Sequence, residues 1–154
     1  MSSLIMRIHP MDLTRYSPML NPLLHQKRKS LSSSDRQVSV TQKKRRVLGE
    51  LADKYCDMIV LTEEDNRSEK VLDICSEISK GIQRNNYIII EDRYDAIRQA
   101  LEIACKNDTV LILGKGDEPY MYREFGKEEW MGDHLAATEI LQSIILNKEV
   151  CISE

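Results

Sequence analysis

From about residue 43 onward, the apolar positions of this 154-residue chain follow two alternating periods. Val47, Leu48, Leu51, Ala52 and Tyr55 recur at helical spacing. Met58-Ile59-Val60-Leu61-Thr62 follows as a solid apolar run, the pattern of a strand covered on both faces. Ser68 suits an N-cap, Val71, Leu72, Cys75 and Ile78 line one face of a second helix, and Gly81 suits its stop. Tyr87–Ile90 is a second buried strand. Asp92, with Asp95 three residues on, caps a helix whose stripe is Ala96, Ile97, Ala100, Leu101, Ala104 and Cys105, with Asn107 at its end. Thr109–Leu113 is a third strand, Tyr120 to Phe125 a loop or short hairpin, and a last helix runs from about Asp133 to Leu146. Helices alternating with solidly apolar strands predict an α/β fold: a Rossmann-like, three-layer domain with a mostly parallel sheet.

The first 42 residues break this regularity. Pro10, Pro18, Pro22 and the Ser30–Ser34 cluster interrupt any period. Charge divides at nearly the same place: residues 1–46 hold ten Lys/Arg against two acids, and residues 47–154 hold twelve against 23. A segment that buries little apolar surface does not offset its ordering entropy, so residues 1–42 are expected to be a basic, mostly disordered tail. The α/β domain then spans 43–147, and 148–154 form a C-terminal tail. The runs Lys27-Arg28-Lys29 and Lys43-Lys44-Arg45-Arg46 suit a nucleic-acid contact or a nuclear address, but a solvated tail leading into a helix is the favoured reading. No aromatic residues interleave with them, which argues against nucleic acid. Apolar runs are too short to span a bilayer, and residues 1–30 lack a signal-peptide core, so the expected setting is the cytoplasm and no membrane partner. Cys56, Cys75, Cys105 and Cys151 have no metal-ligand spacing and read as buried free thiols.

Candidate chemistry sits where strands end, because open α/β sheets bind ligands beyond their carboxyl ends. Two polar clusters stand there: Glu64-Asp65-Asn66-Arg67 and Gly114-Lys115-Gly116-Asp117-Glu118. Arg67 offers a planar fork for a carboxylate, Glu118 a partner for an ammonium, and Gly114 a place where backbone approaches a ligand closely. No G-x-G-x-x-G follows a first strand, so a dinucleotide site is excluded. His134 beside Asp133 could suggest acid–base work, but no nucleophile has a recognisable setting nearby and a helix start with Asp as N-cap is the favoured explanation. His9 and His25 are assigned no role.

In order and spacing, the two clusters resemble those of the C-terminal domain of Mur ligases, closest to the MurE branch. That family carries D-N-P-R-[ST]-E after one strand and G-K-G-H-E-x-Y-Q after another. It closes with an aromatic-x-D pattern that Trp130 to Asp133 approximates. The resemblance covers roughly residues 43–146. It implies a domain that binds the incoming amino acid of an ATP-dependent peptidoglycan stem-peptide ligase, adding it to UDP-MurNAc-L-Ala-D-Glu. Carried over by position, it marks Asp65, Asn66, Arg67, Gly114 and Glu118 as substrate-binding. The implied ligand is an amino acid or UDP-muramyl peptide, and the implied partner a separate ATP-binding ligase domain.

The departures are specific. Without a gap, Glu64-Asp65-Asn66-Arg67 replaces D-N-P-R; with a one-residue gap, Asp65 and Asn66 match and only the proline is missing. Asp117 stands in place of the family's histidine. Of the segment around the family's Lys-Arg pair only Lys44 and Arg45 match, and the strand leading into it is not recognisable in residues 30–40. ATP and Mg²⁺, implied for the full-length family, need a phosphate-cradling loop with a Ser/Thr metal ligand. No such loop exists here, and Gly114-Lys115-Gly116 is too short for one. The expectation is that this chain alone catalyses no ligation and holds no cofactor, catalytic residue or metal of its own. The alternative is a non-catalytic binding or regulatory module on the same scaffold, its basic tail contacting an acidic partner.

Overall fold

A computed structural model of the chain describes residues 3–8 and 34–152, with side chains over 4–6 and 43–147. Its elements are β1 (Ser3–Ile8), α1 (Ser34–Tyr55), β2 (Met58–Thr62), α2 (Val71–Ser79) and β3 (Tyr87–Ile89). After them come α3 (Arg93–Glu102), β4 (Thr109–Leu113), β5 (Tyr120–Arg123), β6 (Gly126–Glu129) and α4 (Asp133–Ile152). Four strands form one sheet in the order β3-β2-β1-β4, and β5 and β6 form a separate hairpin.

β2 pairs parallel to β3, while β1 runs antiparallel to both β2 and β4. Three strands therefore point one way and one points back, and the ends of β2 and β4 lie on the same sheet edge. Side chains alternate across the pleat. Leu4, Met6, Ile59 and Leu61 face one side, where they meet Ala52 of α1 and Ile74, Cys75 and Ile78 of α2. Ile5 and Val60 face the other, against Ala96, Ile97 and Ala100 of α3 and Ala136 and Ile140 of α4. This is the three-layer α/β arrangement expected from the sequence.

Several expectations are corrected. The tail envisaged for residues 1–42 is ordered at both described ends: Ser3–Ile8 is an interior strand, and α1 already begins at Ser34. Burial of Leu4, Ile5 and Met6 between two ladders supplies what the local composition lacks. The basic run at residues 27–29, like His9 and His25, lies outside the described residues. The C-terminal tail gives way to helix, since α4 continues to Ile152. Ser68 does not cap α2, whose N-cap is Lys70 without a side-chain bond.

Asp92 does cap α3, accepting from the Asp95 N–H at 2.9 Å, but that helix stops at Glu102. Ala104 and Cys105 thus fall beyond it, and Cys105 is exposed rather than buried. Cys56 and Cys75 are buried, and burial pushes both thiols up to about 12. Gly81 serves by its size: a Cβ there would sit 2.1 Å from the Arg46 carbonyl oxygen, where α1 crosses the end of α2.

Candidate functional site

Both predicted clusters leave the sheet on the shared edge, the first directly after β2 and the second directly after β4. β1 separates the two strands, so no ladder joins them. The loops are joined instead by Lys115, whose stem is fully buried. Its ammonium donates to Asp65 Oδ1 at 2.7 Å and to Glu118 Oε2 at 2.9 Å. Burial alone would lower the Lys115 pKa, but hydrogen bonds and charge from Asp65 and Glu118 outweigh it and the net shift is upward. The ammonium is thus held charged by one carboxylate from each loop.

The β5–β6 hairpin closes over this pair. The Arg67 N–H donates to the Tyr122 carbonyl at 2.9 Å, and the Tyr122 N–H donates to Asp65 Oδ1 at 3.1 Å. The Tyr122 ring then serves two cations, with the Arg67 guanidinium carbon and the Lys115 nitrogen each 5.8 Å from its centroid. Arg67 is exposed, and among the described residues no carboxylate pairs with it. Its φ of 52° is left-handed, a conformation that costs a residue bearing a Cβ energy. Asn66 donates from Nδ2 to the Glu69 carbonyl, and its buried Oδ1 has no protein partner among the described residues. Gly114 has φ 120°, which a side chain would strain.

The structure therefore brings all five predicted residues to one edge. Asp65, Arg67 and Glu118 gather around Lys115 and Tyr122, and Gly114 starts the second loop. One role differs from expectation: Glu118 does meet an ammonium, but it is the chain's own Lys115, three residues away. Lys115 itself was visible as part of the glycine turn without a role; its i,i+3 spacing to Glu118 was the available signal. One further group was missed. Glu63 receives both the Arg123 Nε, at 2.8 Å, and the Arg123 Nη2. Glu64, named in the first cluster without a role, is buried, and burial pushes its carboxyl above the ordinary value. Nothing in the local pattern marks either acid as buried.

An open cleft of about 570 Å³ lies elsewhere, lined by Val110, Ile112, Gly116, Asp117, Asp133, His134 and Ala137. It shares the 114–118 turn with the cluster but includes none of the five predicted residues. We take the charged cluster, not the cleft, as the candidate site, because there side chains of opposite sign from both strand-end loops converge.

The glycine turn does not fit a phosphate. Its lysine is held by two carboxylates, and the Gly116 N–H is taken by Asp133 Oδ2 at 2.7 Å. Among the described residues no three His, Cys, Asp or Glu are grouped to hold a metal ion, and no helix is long and apolar enough to cross a membrane.

Known proteins resemble the chain in sequence and in fold. Residues 29–116 match the family model described as Mur ligase, glutamate ligase domain. The UDP-N-acetylmuramoyl-L-alanyl-D-glutamate--2,6-diaminopimelate ligase of Caldanaerobacter subterraneus subsp. tengcongensis is 46% identical over 79 residues, 50% of this chain and 16% of the relative. The corresponding ligase of Clostridium tetani is 33% identical over 102 residues, 66% of this chain and 20% of the relative. The UDP-N-acetylmuramyl-tripeptide synthetase of Deinococcus radiodurans is 41% identical over 90 residues, 56% of this chain and 18% of the relative. A solved structure of a UDP-N-acetylmuramoyl-L-alanyl-D-glutamate--2,6-diaminopimelate ligase superposes with a TM-score of 0.61 at 26% identity, covering 66% of this chain and 21% of that one. The chain thus spans about a fifth or less of the length of these relatives.

Proposed function

Because the chain belongs to the Mur ligase family, through its glutamate ligase domain, we propose that its two strand-end loops bind the amino acid such a ligase adds to a UDP-muramyl peptide. One observation carries this reading: Lys115 ties Asp65 of the first loop to Glu118 of the second, so that Arg67 and Glu118 border the same small area. An amino acid with a charged side chain brings both a carboxylate and an ammonium. Arg67, exposed and resting on Tyr122, accepts the carboxylate through its planar fork. Asp65 and Glu118 form the anionic half, where an incoming ammonium shares the carboxylates with Lys115. Gly114 and Asn66 border the entrance, with the Asn66 amide oxygen available as an acceptor.

The family is ATP-dependent, and its acyl-phosphate chemistry belongs, in this proposal, to a glycine-loop domain outside these 154 residues. The chain contributes selection and orientation of the nucleophile, in the cytoplasm, and no bond-making step is assigned to its side chains. The relatives named for 2,6-diaminopimelate make that amino acid the first to try. Calorimetric titration of the purified chain with meso-diaminopimelate, lysine and ornithine tests the reading. Saturable binding of at least one, lost in Arg67→Ala, is expected. An absence of binding by all three overturns it and favours a regulatory module on the same scaffold.

A further inference from the structure

Arg93 lies outside both clusters, yet one guanidinium grips the roots of both. It is the first residue of α3, and its side chain is fully buried. Nη1 donates to the Glu63 carbonyl at 3.1 Å, immediately after β2. Nη2 donates to the Leu113 carbonyl at 3.4 Å, the last residue of β4. Nε and Nη2 also form a fork on Asp133, at 2.7 Å to Oδ1 and 2.6 Å to Oδ2. Asp133 passes the connection on, accepting the Gly116 N–H at 2.7 Å and donating its own N–H to the Gly116 carbonyl at 2.7 Å.

These contacts link two loops whose parent strands are joined only through β1. With β1 between them, β2 and β4 sit two strand spacings apart, roughly 10 Å. The β1 ladders register β2 and β4 only as far as Thr62 and Leu113, and no ladder extends to the loops beyond them. Asp65 follows Glu63 by two residues, and Gly114 follows Leu113 directly. A planar cation with several donors in fixed directions holds both carbonyls and the Asp133 carboxylate at once; an ammonium on a flexible stem does not.

We propose that Arg93, with Asp133, is the positioning residue of the amino-acid site. It sets the distance and orientation between the Asp65–Arg67 and Gly114–Glu118 loops without touching the ligand. The inference rests on the amino-acid-binding reading above. It assigns Asp133 a task beyond starting α4, since that carboxylate points to Arg93 and Gly116.

The test uses the whole chain and the Arg93→Lys variant, which keeps charge and stem but loses the fork. Three quantities are read: affinity for meso-diaminopimelate by calorimetry, the thermal midpoint, and amide hydrogen exchange at Gly116 compared with Val60 and Ile97. The expected variant is folded, protects Val60 and Ile97 as the wild type does, exchanges Gly116 faster, and binds about tenfold or more weakly. Wild-type affinity with unchanged Gly116 exchange overturns the proposal. So does a uniform loss of protection with affinity intact in the folded fraction, the mark of a merely structural role. If Arg93→Lys fails to fold, Asp133→Asn, which keeps shape but weakens the fork, is judged by the same readings. A wild-type chain that binds no amino acid refutes the function proposed above. Gly116 exchange in the variants then still decides whether Arg93 holds the loop.

Discussion

At the scale of single residues, charge placement governs the outcome. Lys115 is buried between two carboxylates, one 12% and the other 44% exposed at the side chain. Lys115→Met would leave Asp65 without its strongest partner, while solvent screens part of the loss at Glu118. We expect a destabilisation of about 2 kcal/mol in urea titration, together with loss of amino-acid binding. Glu64 presents the opposite case, a carboxyl whose burial favours the neutral form despite the nearby Arg93 and Lys115 cations. Its folded pKa lies above the unfolded one. Its contribution to stability is therefore fully present below the unfolded value near 4.5 and is lost as pH rises through the folded value. Glu64→Gln should melt close to the wild type at pH 4 and increasingly above it toward pH 8, as followed by thermal melts across that range. The placement of Arg67, Gly114 and Glu118 at one sheet edge was legible, because each follows the end of a strand. The distant partners of Lys115, Arg93 and Glu63 were not, because they lie twenty to sixty positions away.

At the scale of elements, the packing of α1 on α2 depends on two glycines. A Cβ on Gly49 would lie 2.0 Å from the Ile78 carbonyl oxygen and 3.2 Å from the Gly81 Cα. Alanine would gain about 1 kcal/mol of helix propensity at Gly49. The clash is with backbone, which cannot swing aside, so overpacking wins by about 2 kcal/mol. Gly49→Ala should accordingly lower the urea midpoint, a result opposite to propensity alone. Helices and strands with a strong local period were readable, as at Met58–Thr62, Thr109–Leu113 and the Asp92 cap. Boundaries set by tertiary contacts were less so. The register of α3 ends early because the Cys105 N–H is captured by Asp108 Oδ2 at 2.8 Å, closing a turn instead of another helical step.

At the scale of the whole molecule, the sheet depends on a strand from a distant part of the chain. Six residues of β1 complete both the β2 and β4 ladders, and Ile5 is 0% exposed between the two halves. Ile5→Asp would place a carboxylate where no partner reaches it, at a cost exceeding what a domain of this size withstands. Loss of the cooperative thermal transition is expected, with Leu135→Asp, on an exposed face of α4, melting as the wild type does. Local reading missed this strand for a physical reason. Leu4, Ile5 and Met6 are too few to carry a period, and a run of prolines and serines follows. Only the vacancy that β2 and β4 leave between them explains the burial, and that vacancy is not a property of nearby sequence.

The reversed strand also sets an order of events during synthesis. Ile5 leaves the ribosome before Val60 is made and long before Ile112, its partners on either side. Until both have emerged, the Leu4-Ile5-Met6 segment of the nascent chain has no ladder to join, and closure of the sheet waits on the slowest, most distant pairing. Newly made chains should therefore lean on chaperones until β4 is released, and pausing of translation just short of it would expose the segment to aggregation.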